Sequence, residues 1–521
     1  MRRRPLLLLP TALASFPPAI RGVAAQGTAP LRVAFDAEWT SLDPHFHSFP
    51  YNLSVAHLLF DSLVELDAAQ AVVPRLAERW EAAEPTRWVF HLRGDARFAG
   101  GAPVTAADVV ASIGRIATIR NSPGPLTSVT RPITAAHALD PRTVEFRTRE
   151  PTPILPALLT AVYVVPARLA EAPTEAFNTG EAQAGSGPYR FVSYRRGERL
   201  ELARNPDHWG PAPAWDRIDL RILPNTAARE AALLAGDVDF IVNPSTTGLE
   251  RLSRDPAVAV HRAVSTRITY LQVHQGPQPL ADLTGTNGRN PFADPRVRRA
   301  ASLAIPREAL TARVLDGLAV PASQIIPPGQ PGHDPSLRVE AAEPEAARRL
   351  LAEAGWSGGF NLRLSTPSDR NLNGRRVAEA IAAALTRIGI RTTVNAVPLS
   401  VWLAEWRRGQ YSMVMHGAGP VPVTWTLVPQ MVGTKDMAGG FGPSNESYYS
   451  NAGLDRILRT ALAEIDNSRR ETLLREAASI VRAETAIIPL YHEAALWASR
   501  AGLTFAARSD TLTYVDDIRR R

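Results

Sequence analysis

The chain has 521 residues, no cysteine and a formal charge of +7, from 58 basic and 51 acidic side chains. The lack of cysteine excludes disulfides, thiol catalysis and cysteine-bound metals, so buried core must stabilise roughly two to four compact units. Four of the arginines precede residue 26, which leaves 54 basic and 51 acidic residues, a net charge of +3, in the remainder. This weak charge, without a dense basic run, argues against nucleic-acid binding.

The first 25 residues have the pattern of a cleavable export signal. Arg2, Arg3 and Arg4 are followed by an apolar stretch, and small residues precede Gln26. Prolines interrupt the stretch too often for a membrane-spanning helix, which needs about 20 apolar residues. We therefore predict a signal peptide at residues 1–25 and a periplasmic location, reached by the Sec route or, given Arg3 and Arg4, the twin-arginine route. No later segment is apolar enough to predict membrane insertion.

Strand and helix patterns alternate through the first half of the remaining chain. Strands are predicted at residues 31–35, 88–92, 143–146, 189–194, 199–203, 218–222 and 237–241, and helices at residues 52–66, 106–119 and 227–234. Thr105 with Asp108 indicates a helix start, and Gly236 a helix end. Residues 121–185 are rich in Pro and Ala and favour an irregular, surface-exposed subdomain. The strand, helix and strand around Gly236 are typical of a crossover in a parallel sheet.

The second half repeats the alternation. Helices are predicted at residues 295–304, 307–314, 344–354, 375–388, 401–408, 454–462 and 469–482, and strands at residues 362–365, 391–397, 411–415 and 487–490. A strand this late in the chain often completes a lobe that begins near the start. The whole pattern predicts an α/β protein with at least two lobes.

No catalytic constellation is present in the sequence. It lacks the Gly-x-Ser-x-Gly, His-Glu-x-x-His, Walker and Gly-x-Gly-x-x-Gly motifs. His45 and His47 could supply two metal ligands, but a single His-x-His in a polar loop is more often solvated. We therefore predict no catalytic residue, no metal site and no cofactor, and we expect that the protein is not an enzyme.

Four collinear stretches carry a family resemblance: LFDSLVEL to VPRLAERW (residues 59–80), FHLR to ADVV (90–110), GSGPYRF to LLAGDVD (185–239) and PFADPRVRRA to AIPR (291–307). Their order and spacing, from about residue 31 to residue 516, resemble the family 5 extracellular solute-binding proteins, the peptide- and nickel-type receptors of ABC importers. The resemblance implies a bilobal α/β periplasmic-binding-protein fold, type II-like and of cluster C, with an extra subdomain inserted in the first lobe.

The resemblance also implies domain boundaries. Lobe I would comprise residues 26–66, 186–272 and 489–521, the inserted subdomain residues 67–185, and lobe II residues 273–488. The two crossings between the lobes are expected near residues 269–274 and 487–491.

The function implied is capture of a small ligand, above all a short peptide or peptide-like compound, between the lobes and its delivery to the permease subunits of an ABC importer. A monomer without nucleic-acid partners is expected. The alternatives are a metal or metallophore receptor of the same family, using histidines such as His274 and His416, and a secreted hydrolase. The residues that the resemblance places at the ligand are Glu38, Trp39, Thr40, Gln272, His274, His416, Gly417, Trp425 and Glu446.

One feature departs from the family. Peptide-binding members usually carry an Asp after the strand at 411–415, where it pairs with the peptide's amino group, but no charged residue occurs from Ser412 to Thr434. An ammonium group left unpaired in a closed cleft would cost several kcal/mol. A peptide amine must therefore bind elsewhere, or the ligand is neutral, apolar or a modified dipeptide. The candidate acids are Asp36, Glu38, Asp436 and Glu446.

Overall fold

The computed structural model describes residues 29–438 and 440–521. The signal peptide predicted at residues 1–25 lies outside these residues. Within them, no helix combines the length and the hydropathy needed to cross a bilayer.

The first half of the chain builds one lobe and an insertion into it. Its elements are β1 (Leu31–Phe35), α1 (Pro50–Leu59), β2 (Val64–Leu66), β3 (Val72–Pro74), β4 (Ala77–Glu84), β5 (Arg87–Leu92), α2 (Ala106–Ile116), α3 (Thr127–Thr130), β6 (Ile133–Asp140), β7 (Thr143–Thr148), α4 (Leu155–Leu159), α5 (Thr174–Thr179), β8 (Tyr189–Arg195), β9 (Arg199–Arg204), β10 (Arg217–Ile222), α6 (Thr226–Ala235), β11 (Phe240–Val242), α7 (Thr246–Arg254) and β12 (Val258–Val273).

The second half builds the other lobe and returns to the first. Its elements are β13 (Leu283–Thr284), α8 (Pro295–Ala304), α9 (Arg307–Ala309) continuing as a π-helix (Leu310–Val314), β14 (Ala319–Pro321), α10 (Pro344–Glu353), β15 (Phe360–Pro367), α11 (Gly374–Arg387), β16 (Ile390–Val397), α12 (Leu399–Arg407), β17 (Met413–Ala418), α13 (Leu427–Val432), α14 (Ala452–Ala463), α15 (Asn467–Glu484), β18 (Ile488–Arg500), β19 (Leu503–Thr504) and β20 (Arg519–Arg520). Short 3₁₀ helices lie at Ala167–Leu169, Pro291–Ala293, Thr424–Thr426 and Val515–Asp517.

A 12-stranded sheet connects the two lobes. Its strand order is β13-β15-β17-β12-β18-β11-β1-β10-β9-β8, with β16 paired to β15 and β14 paired to β18. β12 and β18 belong to both lobes: Val258 to Val264 of β12 pair with β18, and Ile268 to Val273 also pair with β17. Each lobe packs its own apolar core against its part of the sheet. The fold is therefore α/β and bilobal.

The crossing between the lobes coincides with an interruption in the β12–β18 ladder. Val264 pairs with Ala494 and the next pair is Ile268 with His492, so the register shifts at residues 265–267. This interruption precedes the 269–274 range expected from the resemblance and faces residue 493 rather than 487–491. Such a break in pairing allows local bending of the two strands.

The inserted subdomain has its own sheet and core. β4, β5, β7 and β6 form a four-stranded antiparallel sheet, and its apolar core includes Phe90, Val109 and Phe146. The helix start predicted from Thr105 and Asp108 is confirmed for α2, and the structure adds a capping box in which the Asp108 carboxylate accepts from the Thr105 backbone N–H at 2.8 Å. The helix predicted at residues 52–66 is partly wrong: it ends at Leu59, because Val64 to Leu66 pair with β3.

Candidate functional site

Strand directions place one edge of each lobe toward the crossing. In lobe I, β1 is parallel to β11 and β11 is antiparallel to β18, so β1 runs in the direction of β12 and ends near the crossing. In lobe II, β17 is antiparallel to β12 and parallel to β15, so β15 and β17 also end near the crossing. The carboxyl ends of parallel strands are where ligands bind in open α/β sheets. The cleft between these facing edges is the candidate site.

The wall on lobe I is built by the residues that follow β1 and β11. The Tyr51 hydroxyl donates to the Asp36 carboxylate, and the Asn243 side-chain amide donates to Asp36 Oδ2 at 3.1 Å and to the Tyr51 hydroxyl at 2.8 Å. Burial, followed by the charge of Asp36, raises the pKa of Tyr51 well above its usual range. Tyr51 therefore stays a donor, and the Asp36 side chain accepts from two donors and has no ion-pair partner in the described chain.

The other predicted lobe I residues lie beside this wall in different environments. Glu38 is exposed, whereas Trp39 is buried in the lobe I core, where its ring contacts Phe35 edge-on at 5.8 Å. The Thr40 hydroxyl hydrogen-bonds to His47 Nδ1 at 3.0 Å. The indole of Trp39 therefore supports the wall from behind, and Glu38 and Thr40 have the greater access to solvent.

The floor of the cleft is organised by Arg267, in the interrupted part of β12. Its guanidinium pairs with Glu493 at 3.2 Å and donates to the Gly419 carbonyl at 3.0 Å and to Asn371 Oδ1 at 3.2 Å. A Cβ at Gly417 would lie 2.5 Å from Arg267 Nη2, so a larger residue there would displace the guanidinium from this position. One cation thus links the two strands of the crossing to the loops that follow β15 and β17.

The wall on lobe II carries a second, unpaired arginine. Arg370 follows β15, is exposed, and forms no hydrogen bond or ion pair within the described chain. Neighbouring protein atoms displace part of the water around its guanidinium, which lowers the pKa of Arg370. The charge of Arg267 lowers this pKa further, and the charge of Glu493 raises it. Since Glu493 is already paired with Arg267, Arg370 is the cation left available to a ligand.

An aromatic stack supports His416 at the end of β17. Its imidazole stacks on Trp402 with ring centroids 4.5 Å apart and lies 5.6 Å from the Trp406 ring. Burial, followed by the charges of Arg370 and Arg267, lowers the pKa of His416 to about 3. The ring is therefore neutral at pH 7 and adds a polar edge, but no charge, to this wall.

Three predicted residues lie elsewhere in lobe II. The Gln272 amide donates to the Ser444 carbonyl at 3.1 Å and accepts from Trp406 Nε1 at 3.2 Å, behind the aromatic stack. His274, beyond the far end of β12, hydrogen-bonds to the Gln278 carbonyl at 3.1 Å, and Glu446 pairs with Lys435 at 2.6 Å. The structure thus brings His416 and Gly417 to the crossing and places these three side chains away from it.

Trp425 faces the inserted subdomain. It lines a cavity of about 470 Å³ together with Trp80 and Trp88 of the subdomain. On either side of this cavity the units interdigitate: Ile154 of the subdomain packs on a lobe II core, and Ile465 of lobe II packs on the subdomain core. Trp425 therefore lies where lobe II contacts the subdomain.

The histidines considered as metal ligands are dispersed. His45 is buried beside Arg115 and hydrogen-bonds to the Tyr163 carbonyl at 2.7 Å, and burial lowers its pKa to about 4. His47 instead contacts Thr40. Across residues 29–438 and 440–521, no three His, Asp or Glu side chains are grouped as a metal site would require.

The tertiary structure brings together several site residues that the sequence analysis did not predict. Tyr51 and Asn243 reach Asp36 from separate elements, and Asn243 does so from a left-handed backbone conformation, φ 46°. Arg267, Arg370 and Glu493 meet only because β12, β15 and β18 are neighbours of β17 or of one another in the sheet. Arg267 and Glu493 stand among other polar residues of β12 and β18, such as Arg262 and His492, so no local pattern distinguished them.

The chain is similar to known binding proteins over nearly its full length. Residues 71–437 match the family model described as "Bacterial extracellular solute-binding proteins, family 5 Middle". Di/tripeptide-binding protein 2 of Pseudomonas aeruginosa is 26% identical over 89% of each chain, and the probable D,D-dipeptide-binding periplasmic protein DdpA of Escherichia coli is 27% identical over 80% of this chain and 78% of its own. The solved structure of HbpA2 from Haemophilus parasuis superposes with a TM-score of 0.83 at 21% identity, over 95% of this chain and all of the other. The protein belongs to the family 5 bacterial extracellular solute-binding proteins.

Proposed function

We propose that this protein is exported to the periplasm, captures a short peptide or peptide-like compound between its lobes, and delivers it as a monomer to the permease subunits of an ABC importer. Membership of a solute-binding family and its similarity to a di/tripeptide-binding protein and a probable D,D-dipeptide-binding protein support the ligand class. Family members are binding proteins, so the proposal contains no chemical step.

The observation that carries the ligand class is the unpaired guanidinium of Arg370 at the carboxyl end of β15. A guanidinium presents several N–H donors in a fork that matches a carboxylate. Arg267 is already paired with Glu493, and His416 is neutral, so no other group on this wall competes for a ligand carboxylate. A short peptide supplies that carboxylate at its C-terminus.

Closure of the lobes would strengthen this contact. A ligand enclosed between two walls loses water on most of its surface, so each of its charges needs a partner. The indoles beneath His416 give the lobe II wall a rigid backing that loses little conformational entropy when a ligand binds. The cleft thus combines a fixed aromatic wall with one available cation.

Isothermal titration calorimetry with di- and tripeptides tests the proposal. We expect Arg370→Gln to weaken peptide binding by roughly 10- to 100-fold, the range expected for a lost charge-assisted hydrogen bond. Arg363→Gln is the matched control, because Arg363 is also exposed and lies within β15 rather than after it. Unchanged affinity in Arg370→Gln, or no peptide binding by the wild-type protein, would contradict the proposed ligand class.

A further inference from the structure

We propose that Asp36 on lobe I binds the ammonium group of the ligand, opposite Arg370 on lobe II, so that an amphoteric ligand completes an ion-paired bridge across the cleft. This inference rests on the proposed function. It answers how a peptide amine is held in a chain that has no charged residue from Ser412 to Thr434.

The four candidate acids differ in their ion-pair partners and in their position relative to the crossing. Asp436 lies 3.5 Å from the Arg459 guanidinium, and Glu446 pairs with Lys435 at 2.6 Å, so both already have cationic partners. Glu38 is exposed, near the β8–β9 turn at Gly197. Asp36 directly follows β1, the strand that ends toward the crossing.

The surroundings of Asp36 suit an ammonium ligand. Tyr51 donates to Oδ1 and Asn243 to Oδ2, which fixes the carboxylate while each oxygen keeps a free lone pair. Arg229 contributes positive charge behind the wall, but its N–H groups are directed to carbonyls, including Val242 at 3.0 Å and Asn243 at 2.9 Å. No cation in the described chain is within ion-pair distance of Asp36. A ligand ammonium, with three donors, would fill this position.

The two walls therefore have opposite charge. Asp36 is an unpaired acid at the carboxyl end of β1, and Arg370 is an unpaired base at the carboxyl end of β15. Lobe closure around a ligand with a free amine and a free carboxylate would satisfy both, whereas an N-acylated ligand would leave Asp36 enclosed without a counter-charge. The protein should therefore discriminate against blocked amino termini.

A comparison of ligand and protein variants tests the assignment. The probes are a pool of Ala-Xaa dipeptides, the same pool N-acetylated, and the same pool C-amidated, each measured by native mass spectrometry and by the shift in unfolding temperature. For the wild-type protein we expect N-acetylation to weaken binding by roughly 10- to 100-fold. In Asp36→Asn, free and N-acetylated dipeptides should bind with equal affinity, because the charge that distinguishes them is gone.

Three controls separate this inference from its alternatives. Glu38→Gln removes the same charge from the same lobe and should keep the discrimination. C-amidation should weaken binding to wild-type protein and to Asp36→Asn by the same factor, which also shows that the variant retains a folded cleft. As a second variant, Asp36→Ser should likewise bind free and N-acetylated dipeptides alike.

The outcomes distinguish the two proposals. If free dipeptides bind and N-acetylated dipeptides bind equally well to the wild-type protein, the Asp36 assignment is overturned and the proposed function stands. If discrimination is lost in Glu38→Gln but kept in Asp36→Asn, the ammonium site is at Glu38 and the assignment is again overturned. If none of the three pools binds, the proposed ligand class fails together with the inference.

Discussion

Asp43 and Arg115 form a fully buried ion pair that fixes the segment after β1 to the inserted subdomain. Arg115 Nη1 and Nη2 each lie 2.8 Å from one Asp43 oxygen, and the side chains are 0% and 1% exposed. The Thr174 hydroxyl donates to the same carboxylate at 2.8 Å. Burial alone would raise the pKa of Asp43, but the hydrogen bond and charge of Arg115 outweigh it and lower the pKa.

Asp43→Asn should destabilise the protein strongly. The substitution removes the carboxylate charge, turns an NH₂ group toward a guanidinium that can only donate, and leaves the Arg115 cation buried without a counter-charge. Breaking a buried pair from one side costs about 3–5 kcal/mol. The comparable exposed pair, Arg93–Asp95 at 2.7 Å with Asp95 63% exposed, should contribute at most about 1 kcal/mol.

Urea unfolding, followed by circular dichroism and tryptophan fluorescence, measures the difference. We expect Asp43→Asn to lower the free energy of unfolding by about 3–5 kcal/mol and the control Asp95→Asn by less than about 1 kcal/mol. The double variant Asp43→Leu/Arg115→Met should be more stable than Asp43→Asn, because it leaves no buried charge. A loss below about 1 kcal/mol in Asp43→Asn would refute the reasoning that the buried cation depends on this carboxylate.

Two further predictions concern stability. Gly185→Ala should lower the free energy of unfolding by about 3 kcal/mol or prevent folding, because the added Cβ would lie 1.9 Å from the Leu59 carbonyl oxygen. Gly114→Ala within α2 is the control: its Cβ meets no atom within 4 Å, so it should raise the free energy of unfolding by up to about 1 kcal/mol. Equal unfolding midpoints for the two variants would contradict this prediction. Burial opposes ionisation of Asp516, but the charge and hydrogen bond of His57, with Arg75, lower its pKa from 3.8 to about 2. Because the pKa of Asp516 is lower in the folded than in the unfolded protein, ionised Asp516 stabilises the fold at pH values above its unfolded pKa of about 4. The free energy of unfolding should therefore fall by about 2 kcal/mol as the pH is lowered from about 4 to 2. Unfolding of Asp516→Asn over the same range should lack this component, and an identical pH dependence in both proteins would contradict it.

Local sequence patterns predicted most of the regular elements. The helix predicted at residues 295–304 is α8 (Pro295–Ala304), and the one predicted at 227–234 is α6 (Thr226–Ala235), which ends at Gly236 in the left-handed conformation, φ 79°. Both segments carry apolar periodicity and their own start or stop residues, so their structure depends little on distant contacts. The fold class followed from these local patterns, and the family followed from the resemblance carried by four collinear stretches.

Long-range pairing explains what the sequence did not predict. β12 was not predicted as a strand, and β18 was predicted only at residues 487–490, because each crosses from one lobe to the other and carries polar residues where the ladder is interrupted. β6, within the stretch expected to be irregular, contains three alanines and owes its structure to pairing with β7. The site could not be predicted for the same reason. Strand directions in the sheet place Asp36 and Arg370 toward the crossing, and no single segment of sequence determines those directions.

The central claim, capture of an amphoteric small ligand between the two lobes, is tested most directly by a crystal structure of the protein with a bound dipeptide. We expect a dipeptide enclosed in the cleft, with its carboxylate on Arg370 and its ammonium group on Asp36. A dipeptide bound outside the cleft, or bound there without contact to Arg370, would contradict it.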